Sequence, residues 1–249
     1  MTTEKFKLPT ETVELPSKGL LYPKESPLSS GTVEMKYMTA REEDILTNSN
    51  YIKDGTVLDK LLQSLIVTPI NFDDLLIGDK NAILVAARVL GYGKDYTFSY
   101  EGRQVSVDLS ILENKAVDYD LYKSGLNDFT YTLPKSGNVV TFKLLTHGDE
   151  QKIEKEIKGL KKISPNTTTD ITTRMKFMIT SVNGDREQKA VREFVDNYLL
   201  APDSRALRQY YNSISPDLDM KFIPDSDSYT GEGVNIPVTI SFFWPDTAA

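Results

Sequence analysis

An α+β fold is predicted by two changes of hydrophobic period along the chain and by an opening stretch that has no period. Apolar residues recur every three or four positions over 39–93, alternate over 94–145, and return to helical spacing over 146–216. Ahead of them, Pro9, Pro16, Pro23 and Pro27 bar a regular central strand, because each proline lacks an amide donor and restrains the residue before it. The expected layout is an extended Pro-rich arm over 1–38, wrapped on the outside, then a helical N-terminal unit (39–93) and a β-hairpin region (94–145). A second helical cluster (146–216) and a C-terminal β-hairpin that completes the sheet (217–249) follow.

Each element has its own signal. Leu15-Pro16-Ser17-Lys18-Gly19-Leu20-Leu21-Tyr22-Pro23 puts apolar side chains on a backbone that cannot be helical, so it docks either on its own domain or on a partner. Thr39-Ala40-Arg41-Glu42 has the capping-box form and predicts a helix start, and Thr56-Val57-Leu58-Asp59 repeats it ahead of Leu61, Leu62, Leu65 and Ile66. A third helix is expected with Asp79 as cap, Ile83, Leu84, Ala87 and Leu90 inside, and Gly91 as the stop. Tyr96–Tyr100 and Val105–Leu109 predict a hairpin around Glu101–Gln104, and Thr130–Leu133 with Val139–Leu144 a second around Pro134–Asn138. The two are expected to share a sheet, with 110–127 irregular between them.

Helical spacing returns with Ile153, Ile157 and Leu160, then with Met175, Met178, Ile179 and Val182 read as one helical face. Val191, Phe194, Val195 and Tyr198 are expected to form the buried face of a third helix, and Asp203 or Ser204 is expected to cap a fourth that ends before Pro216. In the tail, Met220–Ile223 and Val234–Trp244 read as strands, and the closing aromatics predict an end that packs.

The 249-residue chain is long enough for one large domain or two small ones, and its 39% hydrophobic content can fill a core. It contains no cysteine, which excludes disulfides, thiolate–zinc sites and cysteine nucleophiles and fits a reducing compartment. A net charge of −7 opposes broad contact with nucleic-acid phosphates. No window reads as a signal peptide or a membrane span, so a soluble cytosolic protein is expected. The basic run Lys152–Lys162 alternates with Glu154 and Glu156 and reads as a solvated helix face.

Catalytic constellations are sparse. His147 is the only histidine, so a multi-histidine metal site cannot form, and a local turn or cap role is the plainer reading beside that of a general base. No nucleophile elbow and no phosphate-loop motif occurs, and Gly91-Tyr92-Gly93 follows a helix instead of opening one. Asp225-Ser226-Asp227 has the wrong offsets to Gly231 and Glu232 for a calcium loop. No catalytic residue, cofactor or metal is therefore assigned. Arg205 and Arg208, three apart on one helix, can offer bidentate contacts to a partner carboxylate or tie the helix to Asp79 or Asp203 in its own fold. Leu15, Tyr22, Arg205, Arg208 and Trp244 are the candidate partner contacts, each with a structural role as the alternative.

The order of the motifs adds what none carries singly. Leu15-Pro16-Ser17-Lys18-Gly19 with Tyr22-Pro23, Thr39–Leu46, Asp74–Asn81 with Arg88 and Gly91-Tyr92-Gly93, Leu133–Gly137, Leu144-Leu145-Thr146 with Asp149-Glu150, Asp203-Ser204-Arg205 with Leu207-Arg208, and Phe242–Asp246 together resemble the T4-like bacteriophage baseplate hub assembly family over nearly the whole chain. The resemblance implies a non-enzymatic, chaperone-like factor for the baseplate hub of a contractile tail, with hub proteins as partners. It would act in the host cytoplasm during assembly, or stay in the virion baseplate as a permanent structural subunit. A cell-wall-degrading enzyme is a more distant alternative, which needs a carboxylate pair across a cleft that the sequence neither places nor excludes. Some members of that family carry cysteine pairs in their β-rich regions; here the hairpins must hold by packing.

Overall fold

The computed structural model describes residues 8–163, 169–223 and 233–243. Its elements confirm the α+β class and rearrange the parts. The chain enters on strand β1 (Thr10–Glu14), which pairs antiparallel with β2 (Thr32–Lys36) in register from Thr10 opposite Lys36 to Glu14 opposite Thr32. The Pro-rich arm is therefore a long loop between two paired strands and not an outer wrap. Its middle turns inward: Leu15 and Tyr22 are 1% and 4% exposed, and Leu21 and Leu28 are buried beside them.

Two glycines let the loop close. Gly19 has φ +73°, and a Cβ there would stand 2.5 Å from both the Gly31 amide nitrogen and the Ser29 carbonyl. A side chain at this position would push the two limbs of the loop apart.

Four helices follow among the described residues: α1 (Ala40–Leu46), α2 (Ser49–Asp54), α3 (Val57–Leu65) and α4 (Ile77–Tyr92). The Thr39 capping box forms as expected, with the Glu42 carboxylate on the Thr39 amide at 2.9 Å. Helix α2 is unforeseen, as its short polar sequence has no apolar stripe; Asn48 caps it by accepting from the amides of Asn50 and Tyr51. Asp79 does not cap α4. The helix begins two residues earlier, behind Leu76, and runs past Gly91 to a C-cap at Gly93.

Strands β3 (Asp95–Tyr100) and β4 (Arg103–Asp108) form the first hairpin, turned through Glu101 and Gly102 at φ +49° and +77° as a two-residue primed turn demands. Strands β5 (Phe129–Thr132) and β6 (Val139–Phe142) form the second. Among the described residues the two hairpins do not share a sheet: β3 and β4 pair with no further strand, while β6 takes β7 (Ile179–Val182) as its other neighbour. The residues of β7 were expected to be helical. The spacing of Met175, Met178, Ile179 and Val182 is helical, and pairing with β6 overrides it from Ile179 onward.

The second helical cluster comprises α5 (His147–Ile163), α6 (Asp170–Met178), α7 (Gln188–Asn197) and α8 (Ala201–Ile214). Polar α5 keeps Ile153 and Ile157 inside, and its charged face carries the Lys158–Glu154 and Arg192–Glu156 ion pairs. Helix α8 starts behind Leu200, earlier than expected, with Pro202 in its first turn.

Among the described residues, short strands β8 (Lys221–Phe222) and β9 (Val234–Asn235) pair only with each other, and the C-terminal hairpin joins no larger sheet there. Beyond it, Ile240–Phe243 is a 3-10 turn and not a strand. Adjacent Phe242 and Phe243 are both fully buried, which the alternation of a half-buried strand does not allow. Buried side chains from Leu15 to Phe243 form one continuous cluster, so the sequence-based segments share a core. No described helix is long and apolar enough to cross a membrane.

Candidate functional site

Two places gather polar groups against apolar walls. The first is a groove of about 500 Å³ between the start of α4, α6, the C-terminal half of α8 and residues 215–217. Its apolar surface comes from Leu76, Leu144, Leu145, Met175, Met178 and Tyr211. The Tyr211 hydroxyl accepts from the Leu145 amide at 3.0 Å and so fixes the aromatic ring against the strand end, and burial raises the phenol's pKa.

The α4 side of the groove is set by backbone contact. A Cβ on Gly78 would lie 1.8 Å from the Pro216 carbonyl oxygen, so only glycine lets the first turn of α4 reach this segment. Next to it, Asp217 accepts from the Asn81 amide at 3.0 and 3.3 Å and from the Leu218 amide at 2.8 Å. Burial nevertheless moves its carboxyl above the usual range.

Charge around the rim is partly spent. Arg174 on α6 pairs with Glu150 on α5, and the Lys115 ammonium donates to the Asn212 carbonyl near the end of α8. Arg208 lines the groove from α8, and its Nε donates to the Ser204 carbonyl of its own helix at 3.3 Å. Arg205 and Arg208 are both exposed, and neither enters a salt bridge among the described residues.

The carboxylates considered as internal partners of these arginines are engaged elsewhere. Asp79, fully buried, accepts from the Ser17 amide at 2.9 Å and from the hydroxyls of Ser17 and Tyr22, each at 2.6 Å. Burial raises its carboxyl, against the pull of these donors, and the Tyr22 phenol is raised by burial and by Asp79. Asp203 reaches away from its helix to the amides of Lys135 and Ser136 at 2.7 and 3.0 Å, holding the turn between β5 and β6. Burial would raise this carboxyl, but these bonds together keep it below the usual range.

The candidate contacts thus separate. Leu15 and Tyr22 are core, and Tyr22 is also the clasp that accepts from the Leu76 amide at 2.9 Å, so neither offers a surface to a partner. Arg205 and Arg208 stand at the surface, and Arg208 lines the groove. Trp244 lies outside the described residues. The sequence does not point to Lys115, to the Arg174–Glu150 pair or to the apolar surface, which converges from positions distant in the chain.

The second place is a ring of charges where α3, α4 and α5 meet. Lys80 Nζ lies 2.5 Å from Asp59 Oδ1 and 3.0 Å from His147 Nδ1, while His147 Nε2 faces Asp59 Oδ2 at 3.2 Å. The Gln151 side-chain amide nitrogen lies 2.9 Å from the same His147 Nε2. Burial would raise the Asp59 carboxyl, and bonds from His147 and Lys80 outweigh it, holding it low. His147 opens α5 as expected, but its ring joins three helices and does not cap one. Among the described residues, no group of three His, Cys, Asp or Glu side chains is arranged to hold a metal.

No family model, no curated protein and no solved structure matches this chain.

Proposed function

We propose that the chain is a non-enzymatic, chaperone-like assembly factor for the baseplate hub of a contractile phage tail, acting in the host cytoplasm through protein–protein contacts. The observation that carries the contact is the α8 ledge, where Arg205 and Arg208 stand exposed without a salt bridge among the described residues and Arg208 lines a groove with an apolar surface. Arginine next to apolar surface is the composition that recurs at protein interfaces. The hub assignment rests on the series of motifs from Leu15-Pro16-Ser17-Lys18-Gly19 to Phe242-Phe243-Trp244-Pro245-Asp246. A factor of this kind covers aggregation-prone hub surface until the ring closes. A permanent hub subunit would use the same contacts and differs in its fate.

Affinity capture of the tagged chain from infected cells, analysed by mass spectrometry beside the protein inventory of purified virions, separates the readings. Hub proteins in the captured material with this chain missing from virions is the expected result. Stoichiometric presence in virions would make it a structural subunit, and capture of no tail protein would end the hub reading.

A further inference from the structure

We infer that the groove beside α8 takes a peptide segment of the partner that sets a large apolar side chain next to an Asp or Glu. The inference deepens the assembly reading above, since it names the chemistry by which that partner would be held. Its volume of about 500 Å³ suits one bulky side chain with part of its backbone. Ile171, 51% exposed at the mouth, extends the apolar surface out to solvent, where an incoming aliphatic or aromatic group would cover it.

The carboxylate follows from the charge left over after internal pairing. Glu150 is spent on Arg174, and Asp170 stands near enough to Arg174 to stabilise its charge further. Asp217 is held by Asn81 and the Leu218 amide. Arg208 remains, bonded to a backbone carbonyl of its own helix and to no carboxylate among the described residues, while Lys115, bonded to the Asn212 carbonyl, lies near enough to Asp217 to favour that carboxylate's charge. In a chain of net charge −7, an exposed guanidinium of this kind at the groove selects an anionic group locally against the overall field. A guanidinium beside an apolar floor meets a carboxylate bidentately while the neighbouring side chain fills the pocket.

The test uses the full chain and a display library of random short peptides as probe. Enriched peptides are expected to share an apolar residue adjacent to Asp or Glu and to lose affinity about tenfold or more for Arg208→Glu. Binding should persist in Arg186→Glu, a reversal on the chain's surface in an ion pair with Asp128. Thermal melts of both variants that match the parent show that folding is intact. Enriched peptides without the acidic residue, binding unchanged in Arg208→Glu, or no enrichment would each overturn the inference. The two readings fail separately. Hub proteins captured equally by the parent and by Arg208→Glu would remove the groove and leave the assembly role. Acidic–apolar peptides bound through Arg208 in a chain that captures no tail protein would do the reverse.

Discussion

The loop between β1 and β2 and the ledge on α8 are opposite outcomes of one kind of sequence signal. Both present groups that need a partner. In the loop, these groups find one inside the chain: Ser17 and Tyr22 close on Asp79, and Leu15 and Tyr22 are buried. On α8, the acids that might have served are taken by other amides, and Arg205 and Arg208 stay at the surface. The difference teaches that a docking residue is recognised less by its own type than by whether its complement has already been used.

Breaking the loop should cost most. Asp79→Ala leaves three buried donors from Ser17 and Tyr22 without their acceptor, and should lower stability by about 3 kcal/mol in chemical denaturation. Protease should then cut between 15 and 31, and an unchanged midpoint would mean that the clasp is not what holds the loop. Gly78→Ala comes next, at about 2 kcal/mol, since the new methyl must displace the Pro216 carbonyl. Asp203→Ala, which frees only the turn amides of Lys135 and Ser136, should cost about 1 kcal/mol.

A smaller effect appears only in acid. The Glu42 side chain is fully buried, which pushes its carboxyl up, but bonds from Ser64, Thr39 and Lys36 outweigh burial and bring it from 4.5 down to about 2. Because the folded value is the lower one, its contribution is complete above about pH 4.5 and is lost as the pH falls through about 2. Stability curves of Glu42→Gln should lack this acid limb; a limb of equal depth in both proteins would assign it to other carboxylates. Least of all, Arg208→Ala should change stability by no more than about 0.5 kcal/mol while reducing capture of the partner. A large loss of stability there would place Arg208 among the structural residues and erase the contrast with the loop.

What could be read from the sequence was mostly local. The Thr39–Glu42 box, the hairpin around Glu101–Gln104 and the stripes of α5 and α7 involve neighbours a few residues apart; they form close to where expected, with the turn tightened to Glu101-Gly102 and Tyr198 left exposed beyond α7. Asp79 illustrates the limit: the sequence shows an acid near a helix start, while the group that binds its oxygens lies 62 residues earlier at Ser17. Strand β7 was hidden because Ile179 and Val182, three apart, have the spacing of a helix face, and only the pairing with β6 makes them a strand. At the candidate site, the exposure of Arg208 follows from helical spacing. The apolar surface beside it does not, because Leu76, Leu144 and Met175 meet only when three elements pack.

The pairing of β1 with β2 also has a mechanical meaning. Thr10 lies opposite Lys36, so the first described strand enters at the open end of the ribbon, where the second one leaves. Tension applied at Leu8 against the rest of the molecule loads the inter-strand bonds one pair at a time, as in opening a zipper, and each rung yields at low force. The tear then reaches Leu15, whose amide donates to the Gly31 carbonyl at 2.8 Å, and Ser17, anchored on Asp79. The N-terminal region therefore behaves as a peelable strip ending at a stop, and the core behind that stop is shielded from the pull.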